Sequence, residues 1–315
     1  MCDTLQLSPA YSFIQLGRRD SQQDARYPDT DTPGAECRTF IVCDGVGGEA
    51  CGEVASATVA NALGTLLDEY AENNGYLGDG PLKHLLSQAA EELDNAVEEG
   101  SPSMSTTLTL VHFNTDDVVV AHMGDSRIYQ VRPGVGIIFR SNDHSLVNSM
   151  VHSGNLTPQE AINHPKSNYI TRCMSPSQPG AYPTAADMLR ITDIEPDDCF
   201  FLCSDGVLHC IDDDELTLML SRPQVPDNVT CRLIAQLCEN SSDNNTAIMI
   251  RVKAVPDNLS TFDPDNDTAA ENDPSLPCDT TIIAPESQAD TIIEITPEPE
   301  PQEKSGLLSW LKNLF

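Results

Sequence analysis

Aspartates sit where apolar runs of this chain stop or start. In "FIVCDGVGGEACGEVA" (Phe40–Ala55) an apolar run ends on Asp44-Gly45. "FFLCSDG" ends another on Asp205-Gly206, and "VAHMGDSR" a third on Gly124-Asp125. "ENSSDNNTAIMI" places Asp243-Asn244 just before a run, and "RRDSQQD" places Asp24 after two arginines. Taken singly, each predicts a turn, because Asp-Gly after a strand is a hairpin signal and Asn or Asp at a strand end favours turns.

Taken together they predict a cation. Carboxylates gathered at strand ends repel one another and raise each other's pKa unless a cation lies between them. Hard divalent ions such as Mg2+ and Mn2+ take carboxylate, carbonyl and water oxygens. No His/Cys cluster at zinc spacing competes. The bare backbone at Gly45 lets a carbonyl approach an ion, and Asp44 beside it is the best candidate for a carboxylate bridging two ions.

The elements that must hold these residues are partly legible. Short β-rich runs cover Arg38–Cys43, Thr106–Phe113, Val118–His122, Arg127–Val131, Ile137–Arg140, Cys199–Cys203 and Ala247–Val252. The short links "NTDD" (114–117) and "RPGVG" (132–136) predict antiparallel hairpins. Helices are predicted over about 52–70 and 82–97. The first carries Ala55, Val59, Ala62, Leu63, Leu66 and Leu67 on one face. The second carries Leu82, Leu85, Leu86, Ala89, Leu93, Ala96 and Val97. Both stripes are expected to face a core. Antiparallel strands with amphipathic helices predict an α+β layered architecture.

The chain has 315 residues, a formal net charge of -32 and a pI of about 4.2, which argues against nucleic acid as a partner. Its 11 cysteines include no CxxC pair, and its start lacks the pattern of a signal peptide, so reduced thiols in a cytoplasm are expected. No apolar stretch is long enough to span a membrane. From Pro256 to about Ser305 the chain is rich in Asp, Glu, Pro, Thr and Ser, which predicts a disordered acidic tail.

Ten segments resemble, in order, the bacterial branch of the metal-dependent type-2C serine/threonine protein phosphatases. They are "GRRDSQQD", "CDGVGGEACGEVAS", "STTLTL", "GDSRIY", "DHSLV", "LTPQEA", "NHP", "NYITR", "LCSDG" and "DNNT". The resemblance implies a four-layer α/β/β/α sandwich of two mostly antiparallel sheets flanked by helices, with a flap over about residues 144–180. It implies a catalytic domain over 1–254, a tail over 255–305 and a short amphipathic helix over 306–315.

It also implies roles. Asp44 would bridge two Mn2+ or Mg2+ ions, with the Gly45 carbonyl, Asp205 and Asp243 as further ligands. Asp24 and Gln23 would act through metal-bound waters; the family usually has a carboxylate at the Gln23 position. Asp125, sharing Asp205, matches a third, weaker site. Arg19 matches the arginine that binds the substrate phosphate, whose oxygens suit a guanidinium fork. A water between the ions would attack phosphorus in line, reversing the work of a serine/threonine kinase. Some eukaryotic relatives carry a histidine where this chain has Val46, so the acid for the leaving group must come from elsewhere; His122 and His144 are candidates, each with a structural role as the competing reading. The alternative function is an inactive regulator that binds phosphoproteins. A third reading makes the tail the working part of a scaffold.

Within the tail, "DTTIIAPES" and "DTIIEITPEPE" place Thr280, Thr281 and Thr291 beside acids and isoleucines. That pattern resembles a phosphothreonine motif for a forkhead-associated domain. At the end, "GLLSWLKNLF" would gather Leu307, Leu308, Leu311, Leu314 and Phe315 on one helical face. Such a face suits a partner, the catalytic body or a membrane surface, the last opposed by the acidic segment before it.

Overall fold

A computed structural model of the chain describes residues 4–46, 50–96, 104–161, 164–166, 169–176 and 185–256. Strands β1 (Gln6–Leu7), β2 (Tyr11–Gln15), β3 (Asp24–Tyr27) and β4 (Thr39–Val46) come first. Helices α1 (Ala50–Asn74) and α2 (Asp79–Asn95) follow. Then come β5 (Ser105–Thr106), β6 (Leu108–Phe113), β7 (Val118–Met123), β8 (Arg127–Arg132) and β9 (Gly136–Arg140). Helices α3 (Leu146–His152) and α4 (Pro158–Ala161) precede β10 (Asp187–Ile191) and β11 (Cys199–Cys203). The described chain closes with α5 (Asp205–Leu208), α6 (Asp213–Leu220), α7 (Asp227–Cys238) and β12 (Asn245–Ala254).

The strands form two six-stranded sheets. One runs β1-β12-β11-β8-β9, with β2 also on β12; the other runs β10-β7-β6-β4-β3, with β5 on β4. Every pairing is antiparallel. The "NTDD" and "RPGVG" links do close the β6–β7 and β8–β9 hairpins.

Alternation along each strand divides the apolar side chains between two layers. Phe40 and Val42 of β4 face Phe200, Leu202, Ile248 and Ile250 of the other sheet. Ile41 and Cys43 face the opposite way, onto Ala55, Val59, Leu63 and Leu67 of α1, with α2 packed there as well. Phe201, Cys203, Ala247 and Met249 meet Leu216, Met219, Leu220 and Ile234 of α6 and α7. The result is the four-layer α/β/β/α sandwich. Phe113 ties its middle: its ring lies edge-on to Phe40 (6.0 Å) and, across the sheets, to Phe200 (5.2 Å).

Several expectations need correction. Asp44-Gly45 is no turn, because β4 continues through both to Val46. The partners explain it: β3 pairs at Asp44 and β5 at Gly45 and Val46, so the backbone there is held in a sheet. Asp205-Gly206 opens α5 and makes no hairpin. The run Thr106–Phe113 is interrupted at Thr107, between β5 and β6. Both predicted helices exist, starting two or three residues earlier than read. Ala62, Leu66 and Ala96 are only half-buried, and Val97, the acidic tail and residues 306–315 lie outside the described residues. Among the described residues no helix is long and apolar enough to cross a membrane. Cys43, Cys199 and Cys203 are buried thiols, as expected.

Candidate metal centre

The pairing of β3 with β4 sets Asp24 directly opposite Asp44. Cross-strand neighbours stand only ~5 Å apart at Cβ, so two carboxyls share one edge of the sheet. Thr107 clamps the Asp44 backbone from the other side. Its Oγ1 accepts from Asp44 N (2.9 Å), and its own N–H donates to the Asp44 carbonyl (2.8 Å). Ser126 steadies that hydroxyl at 2.7 Å.

The other sheet delivers Asp205 and Asp243, and the connection between the two sheets delivers Asp125. Asp205 follows β11, Asp243 precedes β12, and Asp125 lies in the bend between β7 and β8. Two buried polar side chains lock the sheets together at this end. Ser204 Oγ donates to Asp24 Oδ2 (2.8 Å) and accepts from Thr246 N (3.0 Å). Asn244 Oδ1 accepts from Gln23 N (2.8 Å), while its Nδ2 donates to the carbonyls of Leu16 (2.9 Å) and Ser21 (3.0 Å). The loop carrying Arg19 is therefore pinned to the start of β12.

Glycine is required where backbones meet. A Cβ on Gly45 would lie 2.2 Å from the Gly52 carbonyl oxygen, and one on Gly206 would lie 1.9 Å from the Asn244 carbonyl oxygen. No side chain fits at either place.

The electrostatics record the crowding. Desolvation, together with the charges of Asp205 and Asp243, lifts Asp24 to about 7 although Thr246 and Ser204 hold it down. Desolvation and then Asp205 and Asp143 lift Asp125 to about 8. Asp44 is pushed well above the ordinary carboxylate range by desolvation, then by Asp24, Asp205, Asp243 and Asp125. So the five predicted aspartates do converge. Asp24 Oδ1, Asp125 Oδ1 and Asp205 Oδ1 are buried and accept no hydrogen bond in the protein. Buried carboxyl oxygens without donors fit a hard divalent cation, whose charge would draw Asp24 and Asp125 back into ionised form.

Arg19 reaches the same cluster. Its Nη2 donates to Asp243 Oδ2 at 2.7 Å, with both side chains partly exposed. Val46 is buried beneath the site, in β4 opposite Ser105. Sequence reading missed the parts played by Ser204, Asn244, Thr107 and His209. The signal for His209 is its spacing, one helical turn after Asp205: its Nε2 is 3.7 Å from Asp205 Oδ2, and Asp243 offers an oxygen within 4.8 Å of both.

The described part of residues 144–180 lies alongside. Met174 and Thr106 exchange backbone hydrogen bonds of 2.9 Å, so this segment returns to β5 beside Gly45. His122 and His144 stack at 4.6 Å. His144 Nδ1 accepts from Gly124 N (3.2 Å), which leaves Nε2 to donate to Asp187 (3.1 Å); Asp187 also takes Arg172 (2.7 Å). His144, Arg172 and Asp187 border a polar pocket of about 500 Å3 under α3.

Comparison with known proteins agrees with this geometry. The family model described as protein phosphatase 2C matches residues 17–247. The serine/threonine protein phosphatase PstP of Mycobacterium tuberculosis is 29% identical over 240 residues, 75% of this chain and 44% of that protein. The chain thus spans less than half the length of that relative. Protein phosphatase PhpP of Streptococcus pneumoniae is 30% identical over 200 residues, 61% of this chain and 73% of that protein. The crystal structure of the M. tuberculosis PstP/Ppp superposes with a TM-score of 0.63 at 28% identity, covering 79% of this chain and 99% of that one. A PstP catalytic domain in complex with 2 manganese ions gives 0.60 at 27%, covering 79% and 100%. With its two helix-flanked sheets and its converging aspartates, the chain belongs to the protein phosphatase 2C family.

Proposed function

We propose that the chain hydrolyses phosphoserine and phosphothreonine on proteins, opposing a bacterial serine/threonine kinase. The observation that carries this is Asp24 facing Asp44 across β3 and β4, with the buried Asp24 Oδ1 accepting no hydrogen bond. Asp44, the Gly45 carbonyl, Asp205 and Asp243 would hold two Mn2+ or Mg2+ ions. Asp24 and Gln23 would act through waters, and Asp125 with Asp205 would hold a third ion more weakly. When bound, such ions supply a water that ionises near neutral pH and neutralise charge on the phosphoryl oxygens.

The chain's own residues do the rest. Thr107 and Ser126 fix the Asp44 carbonyl and amide, so the carboxylate enters the site in one orientation. Ser204 holds one Asp24 oxygen and leaves the other turned inward. Arg19, steadied by Asp243, offers its fork to the phosphate at the rim. Val46 supplies no proton, so the leaving alkoxide takes one from water or from a group outside β4. The substrate side is a phosphoprotein rather than nucleic acid, in keeping with the net charge of -32.

We assign the catalytic domain to residues 1–254, the acidic tail to 255–305 and the amphipathic end to 306–315. Thr280, Thr281 and Thr291, once phosphorylated, would dock a forkhead-associated domain. Residues 306–315 would dock a partner or, less favourably beside so many acids, a membrane surface. Phosphate release from a phosphothreonine peptide tests the activity. It should require Mn2+, stop with a chelator, and fall at least ~100-fold in Asp44→Asn and Asp205→Asn. Release indifferent to chelator and to both substitutions would overturn the reading. Metal binding without release would favour the inactive regulator.

A further inference from the structure

Every metal ligand assigned above is an oxygen, yet one nitrogen stands among them. Asp205 opens α5, and His209 follows it by four residues, one helical turn on. The helical bond from His209 N to the Asp205 carbonyl (3.0 Å) closes that turn, so the two side chains share a face. Val207 and Ile211, both buried, and Gly206, which has no room for a Cβ, hold the turn in place.

His209 Nε2 lies 3.7 Å from Asp205 Oδ2. That is too long for a hydrogen bond. It suits two donors on one ion, because groups each ~2.1 Å from a cation stand ~3 Å apart at a right angle and ~4 Å apart in line. Asp243 brings an oxygen within 4.8 Å of a donor atom on each. Arg19 and the Asn244 amide each take one lone pair of the Asp243 carboxylate, which keeps others for a cation. The side chains of His209 and Asp205 are 32% and 27% exposed, so an ion can reach them from solvent.

We propose that His209 is an imidazole ligand of the divalent ion at Asp205 and Asp243. Its nitrogen biases this position towards ions that favour imidazole, such as Fe2+, Co2+ or Zn2+, against Mg2+. The inference rests on the metal site proposed above and adds a residue that selects the metal. Mg2+ takes oxygen ligands and gives up its waters reluctantly, so it gains little from a ring nitrogen. Imidazole suits the later transition ions, whose affinity for nitrogen rises along the series. The carboxylates supply the charge, and the ring supplies the discrimination. Ligation through Nε2 leaves the ring proton on Nδ1, which is buried, so that N–H exchanges slowly with water.

The probe is Co2+ alone, added to the full chain, with Mg2+ as the comparison. Proton NMR of the Co2+-loaded chain should show a paramagnetically shifted, exchangeable imidazole N–H that is absent in His209→Ala and His209→Gln. By calorimetry, the Co2+ dissociation constant should rise at least ~10-fold in both variants, while that of Mg2+ should move less than ~3-fold. The comparison is made on whichever variant melts like the native chain without metal. A Co2+-loaded chain with no such N–H overturns the inference and leaves the carboxylate site intact. Equal weakening of Co2+ and Mg2+, the outcome of a merely structural role, overturns it as well. A chain that binds neither ion overturns the metal site and this inference together.

Discussion

At the residue scale the centre is a set of carboxyls kept apart from ordinary behaviour. Asp24 and Asp125 sit at about 7 and about 8 because they are desolvated and crowded by like charge. The sign of the consequence is fixed. Their folded pKa values lie above the unfolded value of 3.8, so the folded metal-free chain binds more protons than the unfolded chain. These groups stabilise it most below that value, and the contribution is lost as pH rises through about 7 and 8. The melting temperature of chelated protein should therefore fall between pH 6 and 8. Mn2+ should raise it more at pH 8 than at pH 6; scanning calorimetry with no such difference would contradict the proximity of these carboxyls. Ser204→Ala removes a buried donor from Asp24 and an acceptor from Thr246 N. It should cost about 1–3 kcal/mol in urea denaturation.

At the scale of elements, strand ends and the loop held between them make the site. Asn244 is the fastener, with three side-chain bonds into residues 16–23. Asn244→Ala should leave the sheets intact yet speed amide exchange at Gln23 by at least ~5-fold, since one such bond contributes on the order of 1 kcal/mol. Unchanged exchange at Gln23 would argue against the fastener. The central strands and both long helices were legible in the sequence, because apolar periodicity is written into Phe200–Cys203 and Leu82–Leu93. Strands β2, β3 and β10 were not legible. "YSFIQ", "DARY" and "DMLRI" mix polar and apolar residues, and only pairing with β12, β4 and β7 makes them strands. Gly45 misled for the same reason: glycine weakens a strand locally, yet a close backbone crossing requires it there. Asp44, Asp125, Asp205 and Asp243 could be found because each stands beside an apolar run, and Asp24 from its place after the two arginines in "RRDSQQD". Ser204 and Asn244 could not, because a neutral buried bond leaves no pattern in composition.

At the scale of the molecule, the two sheets share one core and carry the site at one end. Phe113 joins the sheets through Phe40 and Phe200, so Phe113→Ala should cost about 3–5 kcal/mol and loosen both faces together. A denaturation in which one sheet unfolds before the other would contradict this coupling. Because Asp24 and Asp44 come from one sheet and Asp205 and Asp243 flank strands of the other, a bound ion would cross-link the two. The most direct measurement is an anomalous difference map from crystals soaked in Mn2+. Peaks among Asp24, Asp44, Asp205 and Asp243, lost in Asp44→Asn, are the predicted result. A map with no peak among these four residues would contradict the account.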